Sequence, residues 1–211
     1  MQKQLENNFQ KIFKGRRSIR SYDPKIKISK EEMQNILADA TLAPSSVNMQ
    51  PWRFVVVETP EAKDKLRPLI RFNTTQNDTS SAMILIFGDM QCYEFAEEIY
   101  NQAVIEGKMP EEVKEKQLGA ILPHYKNLTS DQMNDIVKID SSLVAMQLML
   151  VARAYGYDTN PIGGFEADKL AETFDLDPTR YVPVMILSIG VAADTGYESV
   201  RLPINKLTEW K

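Results

Sequence analysis

The segment spanning residues 130–155 constrains this chain more than any other. It opens on an N-cap candidate, Ser130, and stops at Gly156, the usual residue just past a helix. As a helix it would run about seven turns. Across 143–154 apolar residues occupy almost every side of it, so other elements are expected to bury it centrally. The flanking stretches must therefore supply layers around one long helix.

They have the composition to do so. Ser29-Lys30-Glu31-Glu32 reads as a capping box, followed at helical spacing by Met33, Ile36, Leu37 and Ala40, with Pro44 closing the helix. Apolar runs at 52–57, 82–87 and 182–191 have strand character. Thr59-Pro60-Glu61 starts a short helix with proline at its first position. Charged helices are expected at 93–106 and 110–122, and a short one at 166–174. Helices outnumber strands and separate them, which points to one α+β layer structure. No repeat or linker divides the chain, and its 211 residues suit one core, so residues 1–211 read as a single domain.

Several function classes fall away. The net charge is −4, which argues against a nucleic-acid partner. Cys92 and His124 are the only residues of their types, so neither a disulfide nor a Cys- or His-based metal cluster is expected. The polar N-terminal segment has no signal-type apolar core, and the stretch 143–152 is too short to span a bilayer. The reading is a soluble cytoplasmic protein with no membrane partner.

Three stretches could carry chemistry. Arg16-Arg17-Ser18-Ile19-Arg20 follows Gly15 and gathers three guanidiniums and a hydroxyl. Arginine suits a phosphate because its planar fork donates two parallel hydrogen bonds and stays charged, although the same residues suit a solvated basic face. The loop 43–54 places Ser45, Ser46, Asn48 and Gln50 ahead of Trp52, a set of hydroxyls and amides that matches the edge of a polar heterocycle or an ordinary capped loop. Asn160-Pro161-Ile162-Gly163-Gly164-Phe165 offers backbone N–H groups uncovered by side chains, or a tight turn. The chain has neither a strand-linked Gly-x-Gly-x-x-Gly nor a P-loop.

In this order and spacing, with an Asp-bearing apolar helix and a late Arg201-Leu202-Pro203, these motifs resemble the FMN-dependent nitroreductase family, from about Arg16 to Leu207. The resemblance implies a three-layer α/β/α fold with a central, mainly antiparallel sheet. It also implies a homodimer with FMN at the subunit interface and a tail at 192–211 that extends onto the partner. By motif, Arg16, Arg17, Ser18 and Arg20 would hold the FMN phosphate and the polar flavin edge. Pro44, Ser45, Ser46 and Asn48 would line the same flavin from the other subunit. Pro161, Ile162, Gly163 and Gly164 would run along the isoalloxazine, the Gly163 N–H donating to N5. Arg201 would reach the phosphate, and Asn73 and Gln76 the pyrimidine edge. Two positions depart from many relatives: Gly163 stands where they carry Glu, and Ser199 where some carry Lys.

The implied activity is ping-pong hydride transfer from NAD(P)H through FMN to a small-molecule acceptor such as a nitroaromatic or quinone, with no dedicated acid–base side chain. Alternatives within the fold are a flavin-fragmenting or dehalogenating enzyme; a non-catalytic redox-sensing dimer is a different class. The region 92–128 would shape the acceptor pocket, with Tyr93, Phe95, Leu122, His124 and Tyr125 as candidates.

Overall fold

The computed structural model describes residues 5–211; residues 1–4, the start of the polar N-terminal segment, lie outside the described residues. Its sheet contains β1 (Trp52–Val57), β2 (Ala82–Asp89), β3 (Asp158–Ile162) and β4 (Tyr181–Gly190). The strand order is β1-β2-β4-β3, and every neighbouring pair is antiparallel.

Strand β2 is buried along its whole length. Because successive side chains alternate faces, Ile84 and Ile86 enter one core while Met83, Leu85 and Phe87 enter another. The first core is covered by α2 (Lys30–Ala40) and α7 (Ser130–Ala154), the second by α3 (Pro60–Leu66) and α8 (Ala167–Thr173). This is the expected α/β/α layering. A third cluster lies where α5 (Ala96–Ile105) and α6 (Glu111–Lys126) meet the first half of α7. The remaining α-helices among the described residues are α1 (Phe9–Gly15) and the short α4 (Thr74–Thr79). No helix among the described residues is long and apolar enough to cross a membrane.

Three expectations need correction. The long helix is capped by Thr129, one residue early, through a reciprocal box with Gln132. Nor is it covered all round: Val144, Ala145, Leu148 and Ala152 are buried, but Ile139, Leu143 and Met146 are 62%, 44% and 42% exposed. The sheet and α2 cover one side, leaving an apolar stripe at helical spacing on the other. Helix α6 continues through Pro123 to Lys126, with Tyr125 in its last turn seated in the third core.

Strand β3 was not anticipated, since Asn160 and Pro161 are poor strand formers. It lies at the end of the sheet order, where a missing ladder donor is tolerated. Its outer side is only partly covered, by an isolated parallel bridge between Ser18 and Thr159. That bridge brings the arginine-rich segment to the Pro-Ile-Gly-Gly motif.

Candidate functional site

Past the end of α1 the chain runs extended along β3. Ile19 donates its N–H to Thr159 O at 3.1 Å, and Tyr22 is 1% exposed beneath it. The Tyr22 hydroxyl lies 2.7 Å from Ser188 Oγ and 3.0 Å from Ile19 O. Burial holds that phenol well above its ordinary range, so it acts as a neutral anchor. With Ile19 and Tyr22 pinned, the residues around them are held at the surface.

Arg16, Arg17, Ser18 and Arg20 line a cleft of about 260 Å³ together with Arg201 from the tail. Gly196 makes this contact possible. Its φ is +65°, and a Cβ there would stand 2.8 Å from Arg17 Cβ. Arg201 Nη1 donates to Ser199 Oγ at 2.8 Å and to Val200 O at 3.0 Å. Arg20 stacks over the Tyr197 ring at 5.3 Å. Arg16 Nη1 is buried with no hydrogen-bond partner, a cationic donor in want of an acceptor.

A second cleft, of about 500 Å³, shares Arg20 with the first. Pro161, Ile162, Gly163 and Gly164 line it together with Asn73 and Gln76, and a Cβ on Gly164 would stand 4.0 Å from Asn73 Nδ2. Gln76 Nε2 donates to Asn73 Oδ1 at 3.1 Å, while Asn73 Nδ2 donates to Ile70 O at 3.1 Å. A Cβ on Gly163 would meet nothing within 4 Å, so that glycine serves no packing and leaves the backbone open at the cleft. The two clefts thus set a cationic end beside an amide-lined slot, with Arg20 common to both. Such a shape suits a flat polar heterocycle bearing a phosphate.

Eleven of the sequence-assigned positions thus come together: Arg16, Arg17, Ser18, Arg20, Asn73, Gln76, Pro161, Ile162, Gly163, Gly164 and Arg201. Pro44, Ser45, Ser46 and Asn48 line neither cleft. Their loop is bonded inward instead, Ser46 to Asp140 through its N–H (2.9 Å) and Oγ (3.1 Å). Asn48 lines a separate, mostly apolar pocket of about 390 Å³ with Val47, Ile99, Tyr100, Met109 and Ile121.

Of the suggested acceptor-pocket residues, Tyr125 is a core residue at 5% exposure, Tyr93 and Leu122 pack against the same core, and Phe95 lies under Arg53 at 4.7 Å. His124 meets Tyr125 edge-on at 6.0 Å. Sequence reasoning missed Asn160 and Phe72, both on the larger cleft. Asn160 was within reach, standing beside Pro161. Phe72, 96% exposed, follows no period and gave no signal.

Fold and site together describe a flavoprotein-type oxidoreductase, and comparison with known proteins agrees. The family model described as the nitroreductase family matches residues 13–191. YdgI of Bacillus subtilis, assigned by name as an NAD(P)H nitroreductase, is 59% identical over 205 residues, covering 97% of this chain and 98% of that one. The CLA biosynthesis enone reductase of Lactiplantibacillus plantarum is 40% identical over 207 residues, covering 98% and 95%. A solved structure from Exiguobacterium sibiricum, assigned as a nitroreductase and in complex with FMN, is 58% identical, covers 99% of both chains and superposes with a TM-score of 0.96. The chain belongs to the nitroreductase family.

Proposed function

We propose that this protein is an FMN-dependent oxidoreductase that uses NAD(P)H to reduce nitroaromatics, quinones or related small acceptors, as a cytoplasmic homodimer. One observation carries the reading: the arginine cleft and the amide-lined slot lie side by side, with Arg20 lining both. The residues present fit FMN. The unpartnered Arg16 Nη1 and the guanidiniums of Arg17, Arg20 and Arg201 would hold the phosphate. Asn73 would meet the pyrimidine edge with Gln76 orienting it, and the Gly163 N–H is available to the central ring. A flavin held there would supply two-electron redox chemistry between donor and acceptor. The chain's contribution is to bind, orient and place donors where negative charge accumulates.

Dimerisation is supported by apolar surface without cover in one chain. Ile139, Leu143 and Met146 form a stripe on α7, and Leu202, Ile204, Leu207 and Trp210 of the tail are 61–93% exposed. A partner laid on that stripe could bring its Pro44–Asn48 loop to the flavin.

The acceptor could also be an activated carbon–carbon double bond. The likeness to the enone reductase favours this second reading, as does the apolar pocket beside Asn48. Steady-state kinetics with NAD(P)H against menadione, and against an enone, test the shared site. Parallel double-reciprocal lines are expected, because donor and acceptor take turns; intersecting lines would refute a single shared site.

A further inference from the structure

We infer that Asp140 is a positioning residue: it clamps the loop 45–50 in a strained backbone conformation, so that the loop's polar groups are held ready for the flavin. The inference rests on the proposed reading that this loop lines the FMN of the partner subunit.

The strain is explicit. Val47, Asn48 and Gln50 have φ of 44°, 56° and 47°, and none is glycine. A β-branched valine in the left-handed region is a genuine outlier, and such residues persist only where surrounding structure over-determines them. Here three helices reach for the same few backbone atoms. Asp140 on α7 accepts from Ser46 N–H at 2.9 Å and from Ser46 Oγ at 3.1 Å. Tyr100 on α5 donates to Val47 O at 3.0 Å, and Tyr125 on α6 to Ser46 O at 3.4 Å. Within the loop, Gln50 N–H donates to Ser45 Oγ at 3.0 Å, and Arg53 donates to Gln50 O at 3.0 Å.

Asp140 itself makes no sense as packing. It is 2% exposed, and no Lys or Arg pairs with it among the described residues. A buried carboxylate without a cation is costly, and an apolar residue would fill the space more cheaply. Its side-chain hydrogen bonds both go to Ser46, the residue that leads into the left-handed pair. Burial raises its pKa while those two bonds oppose the rise.

The experiment measures FMN retained by the holoprotein on serial dilution, and amide exchange at residues 46–50, in a set of variants. Asp140→Ala should weaken FMN affinity about tenfold and speed loop exchange, with Asp140→Asn recovering most of it. The decisive arm is Val47→Gly in the Asp140→Ala background. Glycine takes a positive φ without penalty, so it should restore much of the affinity that the lost clamp cost. A role for Asp140 in general stability would give no such rescue. Tyr100→Phe keeps the ring and removes only the hydroxyl on Val47 O. It should weaken FMN about threefold and decides the matter if Asp140→Ala fails to fold. Unchanged affinity and exchange in the folded variants, or no rescue by Val47→Gly, overturns the clamp. Asn48→Ala separates the underlying reading: unchanged FMN affinity there would mean that the loop does not touch flavin, while the exchange measurement would still report on the clamp.

Discussion

Arg17 Nη2 lies 3.6 Å from a carboxylate oxygen of Glu198, so the tail brings an anion to the arginine cleft as well as the cation of Arg201. A bound phosphate would compete with Glu198 for Arg17. Replacing Arg17 by Ala should weaken FMN binding about 10- to 100-fold, the worth of a charge-assisted hydrogen bond. Glu198→Gln should tighten it by a factor of about two to five, because so exposed a pair is weak. Flavin titration checks both, and unchanged affinity in Arg17→Ala would reduce the cluster to a solvated face.

A stability prediction concerns Asp89 at the end of β2. Its buried carboxylate holds Arg180 at 2.8 and 3.0 Å and Arg53 at 3.0 Å, joining three strands or their flanks. Asp89→Ala would leave Arg180 with only Glu94 as a carboxylate partner, at 2.9 Å, and Arg53 with only the carbonyls of Gln50 and Trp52 as acceptors. Since both guanidiniums are partly solvated, the loss belongs at the lower end of the buried-pair range, about 3 kcal/mol by chemical denaturation. Wild-type stability in that variant would show the network to be dispensable.

Lys63 gives a pH dependence with a definite sign. It is 8% exposed and donates to Ser80 O, and burial pulls its pKa down to about 8, with Lys27 adding to the effect. Below that value both folded and unfolded states are protonated, and the buried charge destabilises the fold. Between pH 8 and the lysine's ordinary 10.5 the unfolded state binds more protons, so stability should rise with pH. Urea unfolding at pH 7.5 and 10 should show wild type gaining on Lys63→Met over that window. A constant difference would contradict the assignment.

What the sequence made legible was local. Trp52–Val57 is framed by Pro51 on one side and Glu58-Thr59-Pro60 on the other, and it forms the strand expected of it. The cleft arginines and the glycine pair lie within short motifs, so they could be singled out before their geometry was known. The rest depended on distant partners. Helix α4 has the polar sequence TTQNDT and no apolar period; Asn77, 1% exposed, ties it to Lys63 O at 3.2 Å. Strand β3 is permitted by its edge position and not by its composition. The bond from Asp140 to Ser46 spans 94 residues, beyond the reach of any periodicity.

The tail yields a fourth prediction. Residues 197–211 carry Arg201 together with exposed Leu202, Ile204, Leu207 and Trp210. Ending the chain at Gly196 should remove a phosphate ligand and part of the dimer contact together. Burial of Ile204 and Leu207 alone is worth about 1.5–3 kcal/mol per side chain. Size-exclusion chromatography monitored at the flavin band should show a weakened, largely colourless dimer. A stable yellow dimer would mean that the tail serves neither role.

The most direct measurement is an anaerobic flavin titration of the purified protein. A yellow protein that releases FMN on denaturation is expected; NAD(P)H should bleach the bound flavin, and menadione should then restore the colour with no other addition. Protein-bound FMN that NAD(P)H leaves oxidised would contradict a reductase and favour a flavin-fragmenting, dehalogenating or sensing role instead.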